Sequence, residues 1–299
     1  MGELAGLIAA FTWSVTSIAL TSLSARTSPV ALSALRLSAA TLALPFVVLF
    51  SGTTGEIAAA PIIGLLAVAG SGFLGYGIGD TAYIRALSVV GIQITFPIAT
   101  ALFICFTVLG GILFFGESVT FGIIAGAILV GGGSSLLISS PRGKVGASVA
   151  DRAEVRKRRL IGFGLLMTVG VTWAIATLWL SEAKGDLSAI AAGAIRTPAG
   201  AIGLLAFGLA TRPRDIVAPF SDKRHIGAIV LAGLFGTLFG SLLYVYSVVE
   251  AGPAKAAVLS STAPLMALPL GVVFLGEVFT KRSVWGTVCC VGGIVLVTL

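Results

Sequence analysis

Three ionisable side chains, Arg36, Asp80 and Arg196, lie deep inside runs that are otherwise glycine and apolar. A charged group in hydrocarbon costs at least ~2.5–3.5 kcal/mol, so each needs a partner, a polar cavity or a ligand. Counted at 1.5 Å per residue, Arg36 and Asp80 fall roughly 10 and 12 Å from the same membrane face and can pair. Arg85, in the same GDTAYIRAL stretch, lies about one turn nearer the surface and reaches the headgroups. Arg196 has no such acid, because Gly240 and Ser241 stand where its half of the chain would carry one. Three fates are open to it: reaching out to the interface, bonding carbonyls freed by a nearby proline, or gripping a carboxylate or phosphate with its fork of donors.

Other polar and aromatic groups accompany these charges. Tyr76, Asp80 and Tyr83 follow i, i+4, i+7 spacing, which suits a cavity wall or a packed helix interface. Trp13 and Trp173 are too deep for the interfacial belt and serve either as flat walls for a ligand or as core packing. Pro97 and Pro264 leave the carbonyls of Gln93 and Ser260 without N–H partners, and Gln93, Ser260 and Thr262 put polar side chains beside those breaks. The candidate substrate-binding set is therefore Trp13, Tyr76, Tyr83, Gln93, Trp173, Arg196, Ser260 and Thr262, with Arg36 and Asp80 as an intramembrane ion pair. Glu117 and Glu277 are placed to cap the helices that follow them, with a proton relay as the alternative role. His225, alone in a polar loop, reads as solvated, and Cys105, Cys289 and Cys290 as packing residues. No catalytic cluster, metal-ligand spacing or cofactor motif is visible, which disfavours an intramembrane enzyme.

The elements that hold these residues follow from composition. The chain is 57% hydrophobic and only 10% charged, with a mean hydropathy of +1.08, which marks a multi-pass integral membrane protein. Apolar runs of about 20 residues, the length that crosses ~30 Å of hydrocarbon, predict ten transmembrane helices. They fall near 3–24, 29–50, 61–88, 92–115, 119–138, 160–181, 188–210, 226–249, 254–275 and 283–298. Most connections are short, so successive spans are antiparallel neighbours. The basic stretch 141–159 divides a first five-helix unit, 1–140, from a second, 160–299.

Those units echo each other at an offset of about 160 residues. FTWS (11–14) matches VTWA (171–174), Arg36 matches Arg196, Tyr83 matches Tyr244, and FGE (115–117) matches LGE (275–277). A duplicated unit with an odd number of spans enters the membrane from the opposite side the second time, giving two inverted five-helix repeats. Secondary transporters use that architecture, with a substrate site near the midplane and access alternating as one half rocks against the other.

Orientation follows from Lys and Arg. One side carries Arg26, Arg85, the 141–159 cluster, Arg212, Arg214, Lys223, Arg224, Lys281 and Arg282, whereas the other carries Lys184 and Lys255. Both termini should then face outward across a cell (cytoplasmic) membrane. The +7 net charge and RKRR (156–159) are explained by topology and anionic lipid, not by nucleic acid.

On the paired Trp13 and Trp173, the paired Arg36 and Arg196, the segments Pro97 to Glu117 and Pro264 to Glu277, and the glycine-rich last span of each half, the chain resembles the drug/metabolite transporter superfamily, specifically its ten-span permeases with two EamA-type repeats. The resemblance implies a ten-helix basket around a central cavity that moves small polar or amino-acid-like metabolites in the direction of export; other branches carry phosphorylated sugars or drugs. The partners implied are a small-molecule substrate, the bilayer and a coupling proton or ion; one chain holds both halves, so a monomer suffices and a homodimer is compatible. A non-transporting membrane sensor or assembly partner is the alternative, with a passive facilitator the variant inside the transport class. The chain departs from many members in lacking Lys or Arg in the loop SGTTGEIAAAP, and Pro97 sits earlier in its half than Pro264 does in its own. Related small multidrug-resistance proteins use a Glu in their first span for proton-coupled cation export, and no acid lies at that depth in span one or six here.

Overall fold

The computed structural model of the chain describes residues 1–115, 120–139, 149–251, 259, 262–276 and 280–298. Glu117, Ser260, Glu277 and most of the loop before residue 149 lie outside the described residues.

Each apolar run folds as helix, because a backbone in hydrocarbon must satisfy its own N–H and C=O groups. The first half contains α1 (Gly2–Leu23), α2 (Pro29–Ser51), a short α3 (Thr54–Ala59), α4 (Ile62–Gly72), α5 (Asp80–Val90), α6 (Ile92–Phe115) and α7 (Phe121–Ser139). The second contains α8 (Val149–Ala183), α9 (Ala189–Thr211), a short α10 (Pro213–Val217), α11 (Lys223–Ala232), α12 (Gly240–Ala251), α13 (Ala263–Leu275) and α14 (Lys281–Thr298). No strand occurs among the described residues. Seven helical runs among them are long and apolar enough to cross a bilayer, the runs Ile62–Val90 and Lys223–Ser247 each joining two of these helices. The outward faces carry large apolar side chains such as Leu42, Phe46, Phe50, Ile63, Phe114 and Phe121, which is the surface hydrocarbon requires.

The joint in each of those two runs was not legible in the sequence. Phe73–Gly79 and Gly233–Phe239 are π-helical, and they occupy matching places in the two halves. A π turn widens the helix and recurs at functional sites. Glycine makes both segments approachable. A Cβ built on Gly79 would lie 2.7 Å from Trp173 Nε1, and one on Gly72 or Gly233 would collide with the backbone of Arg196 or Arg36.

The halves interlock. Helix α1 packs mainly against α12 and α13 of the second half, and α8 packs against α5 and α6 of the first. Helices α2 and α9 pair with each other, as do α7 and α14. These partnerships map onto themselves when the halves are exchanged, as a twofold relation demands. The α7–α14 pair is antiparallel, with Gly122 against Leu296 and Gly133 against Gly286. Small residues at such crossings let backbones touch, the usual basis of helix association in lipid.

Three expectations are revised. Helix α8 begins at Val149, so much of the stretch read as linker is a helical extension of span six. Pro264 breaks no described helix, because it falls in the first turn of α13, where the missing N–H costs nothing. His225 is buried at 9% exposure, in α11, with its Nε2 2.6 Å from Thr27 Oγ1 in a hydrogen bond. Asp222 caps α11 and accepts from the backbone N–H groups of Arg224 and His225.

Candidate functional site

Arg36 and Asp80 meet where α2 crosses the start of α5. They are 6% and 9% exposed, and Arg36 Nη2 donates to Asp80 Oδ2. Two further bonds tie the pair to the other half: Arg36 Nη1 donates to Thr237 Oγ1 at 2.8 Å, and Trp173 Nε1 donates to Asp80 Oδ1 at 3.0 Å. Both carboxylate oxygens therefore have charged or N–H donors, the condition under which a buried ion pair persists. Tyr83, one turn along α5, bonds Ser17 at 2.9 Å and lies 5.5 Å from Trp173, centroid to centroid. Phe103 closes the far side of that indole edge-on at 6.0 Å.

Arg196 occupies the matching place in the second half with different neighbours. Its guanidinium carbon lies 5.0 Å from the centroid of the Tyr76 ring, a cation–π contact, and its Nε is buried without a hydrogen-bond partner. The side chain thus does not reach outward to the interface. Asp80 is near enough to feel the charge of Arg196, yet among the described residues no carboxylate is bonded to it. Away from the ends of the described apolar runs, the charged side chains that are not exposed are Arg36, Arg196 and Asp80.

A cavity of about 50 Å³ opens between α2, α9, α12 and the second π segment, with Tyr76, Thr197, Thr237 and Ser241 as its polar lining; Arg196 is not part of its wall but contacts it through the Tyr76 ring. A water needs ~10–15 Å³, and an apolar cavity of ~150 Å³ is known to hold benzene. The cavity has room for a few waters or one small polar group.

The two ends of the interface are latched. At one end Arg26 Nη2 meets Asp222 Oδ2 at 3.2 Å, beside the Thr27–His225 bond. At the other, Glu56 Oε2 accepts from the backbone N–H of Ser188 at 2.8 Å. The Ser188 bond holds the Glu56 carboxyl below its ordinary pKa, and the His225 N–H, with help from Arg224 and Arg26, does the same for Asp222.

With that geometry in place, comparison with known proteins decides the family. The sequence profile of the EamA-like transporter family matches residues 1–139 and 160–299. The chain belongs to the EamA-like transporter family. Two uncharacterized transporters are similar in part, one of Acidianus ambivalens at 35% identity over 85 residues, the other of Archaeoglobus fulgidus at 29% over 138. The matches span 28% and 46% of this chain, and 33% and 49% of those proteins' own lengths. A solved protein crystal structure shares the fold at a TM-score of 0.68 and 19% identity, covering 99% of this chain and 95% of its own.

In this EamA-family chain the structure gathers Arg36, Asp80, Tyr83 and Trp173 into one network, and Tyr76 with Arg196 into a second. Tyr76 and Tyr83 face different partners, because a π segment intervenes before α5. Trp13 packs on Tyr244 at 5.5 Å, as Trp173 does on Tyr83. Gln93 and Thr262 join neither network nor the cavity wall: Gln93 is buried with Nε2 unpaired, and Thr262 bonds the Leu259 carbonyl at 2.6 Å. Thr197, Thr237 and Ser241 were not singled out as binding residues from the sequence. The signal that finds Thr237 is the repeat itself, since it aligns with Tyr76 once Tyr83 is aligned with Tyr244.

Proposed function

We propose that this transporter is a secondary active exporter of small polar or amino-acid-like metabolites, working by alternating access around a central cavity between its halves. The observation that carries the reading is Arg196: a cation without a bonded carboxylate among the described residues, stacked on Tyr76, whose other neighbours form a cavity lined from both halves. Binding energy for a polar substrate is greatest where the protein leaves a desolvated charge uncompensated. The latches at Arg26–Asp222 and Glu56–Ser188 lie at opposite ends of that interface, so releasing one while keeping the other would expose the cavity to one side at a time. The repeats 1–140 and 160–299 are the duplicated units, the termini face outward by the Lys and Arg distribution, and the membrane is the cytoplasmic one. Export follows the family resemblance, a proton or ion supplies the coupling, and a single chain suffices.

Counterflow in proteoliposomes tests this, using pools of labelled amino acids, sugar phosphates and organic cations. Wild-type protein should exchange the amino-acid pool, and Arg196→Gln should lose exchange by at least tenfold while remaining folded. Exchange confined to organic cations, or none from any pool by folded protein, refutes the reading.

A further inference from the structure

We infer that the missing counterion of Arg196 is the carboxylate of the transported molecule, held where the second half lacks the acid that Asp80 supplies in the first. This rests on the transport reading and adds the chemical class and place of the bound group.

The register between the halves fixes the place. Gly72 meets the backbone of Arg196 as Gly233 meets that of Arg36, and Gly79 meets the indole of Trp173 as Gly240 meets that of Trp13. Tyr83 on Trp173 and Tyr244 on Trp13 share the same 5.5 Å spacing. In this register Tyr76 corresponds to Thr237, and Asp80 corresponds to Ser241.

Each arginine then takes one neighbour from each half. Arg36 has Asp80 from its own half and Thr237 from the other. Arg196 has Tyr76 from the other half, and from its own it would have Ser241, which keeps a hydroxyl but has no charge. Trp173 donates its N–H to Asp80, whereas Trp13 Nε1, 2.8 Å from a Cβ built on Gly240, has no acceptor among the described residues. Two donors that serve a carboxylate in one half are thus left without one in the other. Ser241 lines the cavity together with Tyr76, the ring that carries Arg196, so the position matching Asp80 borders open space, while Arg196 and Trp13 stand behind that wall.

The chemistry selects the ligand. A carboxylate is planar, accepts from an arginine fork and an indole N–H together, and brings one negative charge. That charge balances two arginines against Asp80, whereas a phosphate dianion would overshoot. The cavity of about 50 Å³ admits such a group alone, so the rest of the molecule must occupy space created when the halves part.

The test is thermal unfolding of the purified full chain in detergent, with sodium acetate, pyruvate or L-alanine set against acetamide, sodium chloride and sodium phosphate at matched ionic strength. Carboxylates should raise the midpoint and acetamide should not. Ser241→Asp should place the acid in cis, raising the midpoint without ligand and abolishing the carboxylate shift. If that variant does not fold, Arg196→Gln should abolish the shift, and Trp13→Phe should weaken apparent affinity roughly tenfold, as loss of a charge-assisted bond implies. A shift retained in Ser241→Asp or Arg196→Gln, an equal response to acetamide, or a larger response to phosphate overturns the inference. Counterflow on the same preparations separates the two claims. Exchange that survives in Arg196→Gln removes the site and leaves transport standing, whereas a carboxylate shift lost in the variants without exchange by wild type removes transport and leaves the site.

Discussion

Removing Asp80 should be among the most damaging single changes in the chain, and the structure says why. In Asp80→Asn the side chain retains one carbonyl oxygen, which can accept from Arg36 or from Trp173 but not satisfy both with charge assistance. Arg36 keeps Thr237, but its Nε is already buried without a partner, so the cation becomes largely uncompensated. Breaking a buried pair on one side costs about 3–5 kcal/mol. At ~4 Å and an effective dielectric near 20, the Coulomb attraction alone is about 4 kcal/mol, which agrees. Arg36→Gln should cost a similar amount, because Asp80 is then left with only the Trp173 donor. The double variant leaves two neutral amides that can bond each other, so a large part of the combined loss should return, with a coupling of at least ~2 kcal/mol. Unfolding in mixed micelles, followed by tryptophan fluorescence, measures this, and Trp173 in contact with Asp80 reports directly. Losses that add to within about 0.5 kcal/mol would show that the pair contributes no mutual stabilisation, and the account of both networks would fail with it.

Two further outcomes follow from the packing and the capping contacts. Gly72→Ala and Gly233→Ala should each destabilise by about 1–3 kcal/mol, since the added methyl meets the backbone of Arg196 or Arg36 and the neighbouring helix must move; equal stability with wild type in the same unfolding assay would contradict the crossings described. Asp222→Ala should lower the unfolding midpoint at neutral pH, and the difference from wild type should close as pH falls below about 4, because a carboxylate whose pKa is depressed on folding stabilises only while ionised; a difference constant from pH 7 to 3 would refute this.

The outline of the architecture could be read in the residues. Runs such as Pro29–Ser51 and Ile92–Phe115 are helical because length and hydropathy leave hydrocarbon-bound backbone no other choice. Arg36 and Asp80 could be paired from depth alone, because two opposite charges at one level in a membrane have few alternatives. Less was legible where geometry depends on a neighbour. His225 looked solvated because its loop is polar, and only the approach of Thr27 from the first half gives it a buried partner. Pro264 looked like a helix break because the start of its helix carries no distinct sequence signal.

The sequence by itself determined a duplicated membrane protein with two deep arginines and one deep aspartate in its apolar runs, since composition, period and charge sign are all properties of the chain. Which half lends a partner to which arginine was decided only by tertiary structure. The π segments at Phe73–Gly79 and Gly233–Phe239 set the rotation of Asp80 and Ser241 about their helices, and close glycine crossings seat Arg36 against Thr237 and Arg196 against Tyr76. A one-residue difference in register along a helix turns a side chain by about 100°, so the place of a lone serine in the site is a fact of packing that no spacing could supply.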